Sequence, residues 1–125
     1  MIEKIATSRA PQAIGPYSQA VAVGGMIYTS GQIALTPEGK MRENDITAQT
    51  EQVMQNLSAV LEAAGSSLQK VVKTTIFLAD MEDFATVNAI YEKWFGDHKP
   101  ARSTVAVKTL PKNALVEIEC IALAE

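Results

Sequence analysis

The sequence predicts an α+β fold, a mixed β-sheet with two helices on one of its faces. Only two segments repeat apolar residues at helical spacing. Five others are short extended runs bounded by glycine, proline or polar residues, and the last of these carries apolar side chains on both of its sides. The order along the chain is β, β, α, β, α, β, β.

The first two strands are Ser18 to Val23 and Met26 to Gln32, joined by Gly24-Gly25, a pair that supplies the positive φ angles of a two-residue hairpin turn. After a polar loop through Pro37, Glu38 and Gly39, apolar residues at Val53, Leu57, Val60, Leu61 and Ala64 line one face of a helix that Asp45 can cap and Gly65 can end. Val71 to Ala79, rich in β-branched and aromatic residues, predicts the third strand. Asp80 to Asp83 then offer capping oxygens to a second helix patterned by Phe84, Val87, Ile90, Tyr91 and Trp94 and closed by Gly96. Pro100 marks an extended segment, and Ser103 to Val107 and Leu115 to Leu123 complete the strands around a polar loop containing Pro111.

Two helices cover one face of such a sheet. The last strand nevertheless places Val116, Ile118 and Cys120 on one side and Leu115, Ile121 and Leu123 on the other. A partner subunit is the simplest cover for the second face, because an apolar sheet face left in water is a large exposed patch.

The 125 residues suit one domain, residues 1–125, since no internal repeat, low-complexity segment or composition shift divides them. With 47% apolar and 20% charged residues the chain has the make-up of a folded protein. The net charge of −3, with lysines and arginines scattered from Lys4 to Lys112, gives nucleic acid no basic groove. A lone cysteine, Cys120, cannot form an internal disulfide and favours a reducing compartment. Polar and turn residues from Gln12 to Gln19 interrupt any signal-peptide core, and no run of ~18 apolar residues occurs, so the expectation is a cytoplasmic protein without a membrane span.

Several chemistries are excluded by inventory. One histidine, His98, and one cysteine cannot supply the usual Cys/His zinc sets, so no metal is expected. His98 sits in a charged loop, Asp97-His98-Lys99, without a local nucleophile motif, and reads as an exposed loop residue. Gly24-Gly25 runs into a strand rather than a helix start, so a nucleotide cradle is not indicated. What remains is chemistry that needs a positive anchor, a carboxylate and a water.

Arg102 is the most unusual charge, placed where a proline-containing loop enters a strand. A guanidinium at the edge of a cleft grips a carboxylate through two parallel hydrogen bonds, which lysine does not reproduce. An arginine snorkelling from a strand end fits the same pattern. Glu117 and Glu119 share a face of the last strand and read either as a carboxylate pair with raised pKa values or as two solvated acids. Gly15-Pro16-Tyr17-Ser18 and Thr29-Ser30-Gly31-Gln32 allow close backbone approach to a ligand, or a bulge or tight bend. Asn88 interrupts the apolar pattern of the second helix and faces either solvent or a subunit interface.

Taken together, Ala13-Ile14-Gly15-Pro16-Tyr17-Ser18-Gln19, Thr29-Ser30-Gly31-Gln32-Ile33, Phe84-Ala85-Thr86-Val87-Asn88, Pro100-Ala101-Arg102-Ser103 and Val116-Glu117-Ile118-Glu119 resemble the Rid (reactive intermediate deaminase, YjgF) family over nearly the whole chain. The resemblance implies a chorismate-mutase-like homotrimer with sites between subunits. It also implies cofactor-free hydrolysis of 2-enamine and 2-imino acids, such as 2-aminoacrylate, 2-iminobutanoate and 2-iminopropanoate, to 2-oxo acids and ammonia. By the same resemblance Arg102 binds the substrate carboxylate, Glu117 orients or activates water, the backbone around Gly31 and Thr104 holds the imine end, and Tyr17, Ser30 and Asn88 line the cleft. Many relatives carry cysteine where this chain has Thr104, so a thiol role is absent. Detoxification and isoleucine biosynthesis are both open as the use of the activity.

Pairing the last two strands as a plain hairpin puts Arg102 and Glu117 on opposite faces. A bulge, non-adjacent strands or a site shared between subunits would bring them together. The rival reading is a non-catalytic module that binds 2-oxo acids or related small carboxylates. Ribonuclease activity, also described for the family, fits the charge poorly.

Overall fold

The computed structural model describes residues 1–125 throughout. Gly24 and Gly25, with φ of 58° and 79°, turn one strand back on the next as the sequence predicts. These strands are β2 (Ala20–Val23) and β3 (Met26–Thr29), each shorter than expected: Ser30 to Gln32 leave the strand, and only Gln32 pairs again, with Ile118. A further strand, β1 (Glu3–Ile5), lies against β2. The expected order omits it because three residues with one buried side chain carry no periodicity.

Helix α1 (Ile46–Ala63) starts at Asp45, whose side chain accepts from the Thr47 amide at 3.2 Å, and it ends before Gly65 at φ 82°. Strand β4 (Val71–Leu78) leads into α2 (Phe84–Phe95) through a short 3₁₀ turn that Asp80 caps at the Glu82 amide, and Gly96 closes α2. Strands β5 (Ala101–Ala106) and β6 (Val116–Leu123) follow.

The last two strands do not form a hairpin. The sheet order is β1-β2-β3-β6-β4-β5, so β6 threads between β3 and β4, antiparallel to both, and β5 is an edge strand parallel to β4. Parallel neighbours need a crossover, which α2 provides. The sheet is therefore mixed.

Both helices pack on one face. Ile27, Val71, Ile76, Leu78, Val116, Ile118, Cys120 and Ala122 of the sheet meet Val53, Met54, Leu57, Val60 and Leu61 of α1 and Val87, Tyr91 and Phe95 of α2. Truncating one such leucine to alanine costs about 2–5 kcal/mol. The opposite face carries Val21, Tyr28, Phe77, Val105, Ile121 and Leu123, of which Tyr28, Val105 and Leu123 are more than 40% exposed, so this apolar surface is open in the single chain.

Candidate active site

Arg102 projects from β5 on the helix-covered side of the sheet. Its strand partner is Thr74, and α2 surrounds its guanidinium: Nη1 donates to Asn88 Oδ1 at 2.7 Å, and the group lies 5.4 Å from the centre of the Phe84 ring and 5.0 Å from that of Tyr91. No carboxylate pairs with it. An exposed guanidinium held by a neutral acceptor and two rings keeps most of its donors free for an incoming anion. A cavity of about 400 Å³ opens beside it, lined in part by Asn88, Tyr91, His98 and Pro100.

His98 departs from expectation: it is half-buried, with Nε2 2.6 Å from the Val71 carbonyl, which ties the loop after α2 to the start of β4. The carbonyl can only accept, so Nε2 carries the proton in this contact. Thr104, two residues beyond Arg102 and on the same side of β5, buries a hydroxyl without a hydrogen-bond partner.

Glu117 occupies the other side of the sheet. It helps to line a cavity of about 580 Å³ together with Tyr17, Ser30, Gly31 and Lys112. Burial pushes its carboxyl above the ordinary carboxylate range, and the charge of Glu119 on the same face adds to this. The carboxylate lies over Gly31, where a Cβ would come within 2.8 Å of the Glu117 carboxyl carbon. The absence of a side chain at Gly31 thus makes room for the Glu117 carboxylate. Ser30 donates its hydroxyl to the Ser18 carbonyl at 2.6 Å, while Tyr17 is exposed and its hydroxyl meets the Ile14 amide at 3.4 Å.

The predicted residues therefore form two groups. Arg102, Asn88 and Thr104 lie on the helix side, whereas Glu117, Gly31, Ser30 and Tyr17 surround the second cavity. Strand register explains the separation: Arg102 is level with Thr74 and Cys120, and Glu117 is level with Phe77 and Val105, which alternate with them. Separating β5 from β6 by β4 leaves the two groups on opposite faces, so non-adjacency does not remove the conflict within one chain.

Other residues shape the site that the sequence pattern did not single out. Asn56, fully buried on α1, donates to the carbonyls of Ile33 and Leu35 at 3.2 and 2.9 Å, fixing the backbone just beyond Gly31. Gln49 accepts from the Leu115 amide at 2.9 Å and fixes the chain leading to Glu117. Gln19, already part of the Ala13 to Gln19 motif, holds the N-terminal arm by accepting from the Thr7 amide at 2.6 Å and donating to the Pro11 carbonyl at 2.7 Å. For Asn56 and Gln49 the available signal was polar side chains within the apolar stripe of α1, where burial demands partners. No three His, Cys, Asp or Glu side chains converge as metal ligands would.

The endoribonuclease L-PSP family model matches residues 7–124. A RutC family protein of Pyrococcus abyssi is 50% identical over 124 residues, covering 98% of each chain. A 2-iminobutanoate/2-iminopropanoate deaminase of Salmonella typhimurium is 49% identical over 126 residues, again covering 98% of each. Among solved structures, Escherichia coli TdcF with bound serine superposes with a TM-score of 0.92 at 43% identity, covering 97% of this chain and 98% of that one.

Proposed function

The chain belongs to the endoribonuclease L-PSP (YjgF/Rid) family, and from that premise we propose that it hydrolyses 2-imino and 2-enamino acids, among them 2-iminobutanoate, 2-iminopropanoate and 2-aminoacrylate, to 2-oxo acids and ammonia. The observation that carries the reading is the unpaired guanidinium of Arg102, oriented by Asn88 and by the rings of Phe84 and Tyr91. It suits a substrate with an α-carboxylate, the group that the serine bound to the TdcF relative also bears.

The reacting carbon of an imine is already electrophilic. Arg102 holds the carboxylate while Glu117 orients a water and takes one of its protons as the C–O bond forms. Return of that proton to nitrogen gives a carbinolamine, and as its C–N bond breaks the hydroxyl proton also passes to nitrogen, so that ammonia leaves behind the 2-oxo acid. The raised pKa of Glu117 makes both the acceptance and the return of a proton accessible closer to neutrality. Gly31 and Thr104 backbone, with Tyr17, Ser30 and Asn88, complete the cleft in this reading. No cofactor or metal takes part in it.

The opposed faces of Arg102 and Glu117 are reconciled by a site shared between subunits. In the proposed homotrimer the open apolar face and the free edge of β5 meet a neighbour, and Arg102 of one subunit faces the Glu117 cavity of the next. Residues 1–125 act as one unit in this assembly. No helix is long and apolar enough to cross a membrane, and the lone cysteine favours the reducing cytoplasm as the site of action.

The test is the rate of 2-oxobutanoate formation while a threonine dehydratase generates 2-iminobutanoate in the same vessel. Acceleration by the wild-type protein and not by Arg102→Ala supports the proposal. No acceleration by a folded oligomer overturns it in favour of a module that only binds small carboxylates.

A further inference from the structure

Tyr91 carries an arrangement that the deaminase reading has not used. Its ring lies beneath the guanidinium of Arg102, while its hydroxyl meets Thr74 Oγ1 at 2.7 Å in the core. Thr74 is fully buried and is the strand partner of Arg102 across β4 and β5. The hydroxyl pair thus pins the Tyr91 ring directly below the stretch of backbone that carries Arg102. A second ring, that of half-buried Phe84 about two helical turns earlier on the same side of α2, also approaches the guanidinium. Asn88 lies between Phe84 and Tyr91 in sequence and takes an Nη1 hydrogen.

A flexible arginine on an exposed edge strand samples many rotamers, and each carboxylate it binds must overcome that freedom. Two π faces and one fixed acceptor restrict the guanidinium plane before ligand arrives, without neutralising its charge as an acidic partner would. Resting on Arg102 as the carboxylate anchor, we infer that Tyr91 is a positioning residue: pinned by Thr74 and aided by Phe84, its ring presets the guanidinium plane for two-pronged capture of the α-carboxylate. Asn88, which also lines the cleft, fixes one Nη1 hydrogen of that plane.

The experiment is calorimetric titration of the intact oligomer with 2-oxobutanoate, for the wild type, Tyr91→Phe, Tyr91→Leu, Phe84→Leu and Arg102→Ala. Tyr91→Phe keeps the ring and is expected to bind within a fewfold of wild type. Tyr91→Leu is expected to weaken binding by about five- to thirtyfold, the range of a partly desolvated cation–π contact. In the coupled assay that loss falls on KM, with kcat changed by less than about twofold.

A readout without ligand separates positioning from general damage. Ring currents displace the Arg102 Nε–H resonance in wild type and Tyr91→Phe, and removing the Tyr91 ring shifts it back. Should Tyr91→Leu fail to assemble, Phe84→Leu removes the other ring at a half-buried position and is expected to show the same direction of change. Unchanged affinity and an unmoved resonance in the ring-deleted variants, with Arg102→Ala unable to bind, overturn the role of Tyr91 alone. Wild-type affinity in Arg102→Ala overturns the anchor reading itself.

Discussion

Arg102 and Glu117 stand on opposite faces of one sheet, level with Thr74 and Phe77 of β4 and so three residue positions apart along that strand. A site that uses both must take them from different subunits, and mixed oligomers test this. Arg102→Ala and Glu117→Ala chains, each inactive alone, are expected to recover activity when co-refolded, at about a quarter of wild-type sites under random mixing in a closed ring. Mixed oligomers as inactive as their parents count against the shared site.

Removing the guanidinium has a predictable cost. Arg102→Ala loses a charge-assisted interaction of roughly 1.5–3 kcal/mol, so kcat/KM falls by at least about tenfold while the oligomer persists. Arg102→Lys restores charge but not the planar fork and is expected to recover only part of the loss. Steady-state kinetics beside analytical ultracentrifugation check both halves of the statement.

Glu117 links stability to pH. Its folded-state pKa is raised, so the folded chain holds the proton more tightly than the unfolded one. The resulting stability is fully present below the ordinary glutamate pKa and is lost as pH rises through the folded value. Glu117→Gln removes that loss, so at neutral pH the variant melts higher than wild type even as turnover drops, and the gap in Tm closes in acid. A variant that melts lower at every pH contradicts this.

Gly31 leaves room for the carboxylate of Glu117. The group it would strike is the end of a flexible side chain, so Gly31→Ala is expected to fold, displace Glu117 and lower kcat by up to about a hundredfold, the scale of an ångström-sized misplacement. Circular dichroism unchanged from wild type, alongside the kinetic defect, is the expected signature.

Cys120 is buried, and burial pushes its thiol up to about 12. It is expected to resist maleimide in the native protein and to react only after denaturation, because the thiolate is the reactive form. Stoichiometric labelling of the folded protein at neutral pH would contradict the burial.

Much of this was legible in the sequence because periodicity reports faces. Val53, Leu57 and Val60 declared the inner side of α1, and the alternation from Val116 to Leu123 declared both sides of β6. Periodicity does not report partners. Nothing local in β6 says that it will thread between β3 and β4, because that choice is made by contacts far apart in sequence. The same limit hid how the site divides: Arg102 and Glu117 could each be named from residue type and motif, yet their separation depends on strand order. Tyr91 was read as an apolar core residue because a buried ring and a ring beneath a cation leave the same mark on a helix pattern. His98 was expected in solvent, since a carbonyl waiting at the start of β4 has no sequence signature.

The place of β6 also bears on how the chain is made. Synthesis delivers β1 to β3 early and β4 with β5 later, but the strand that joins these two halves of the sheet leaves the ribosome after all the others. Until then each half has an open edge and lacks the inner face that β6 supplies to α1. Nascent chains must therefore wait with unsatisfied strand edges, the condition under which chaperone capture or mispairing competes with folding.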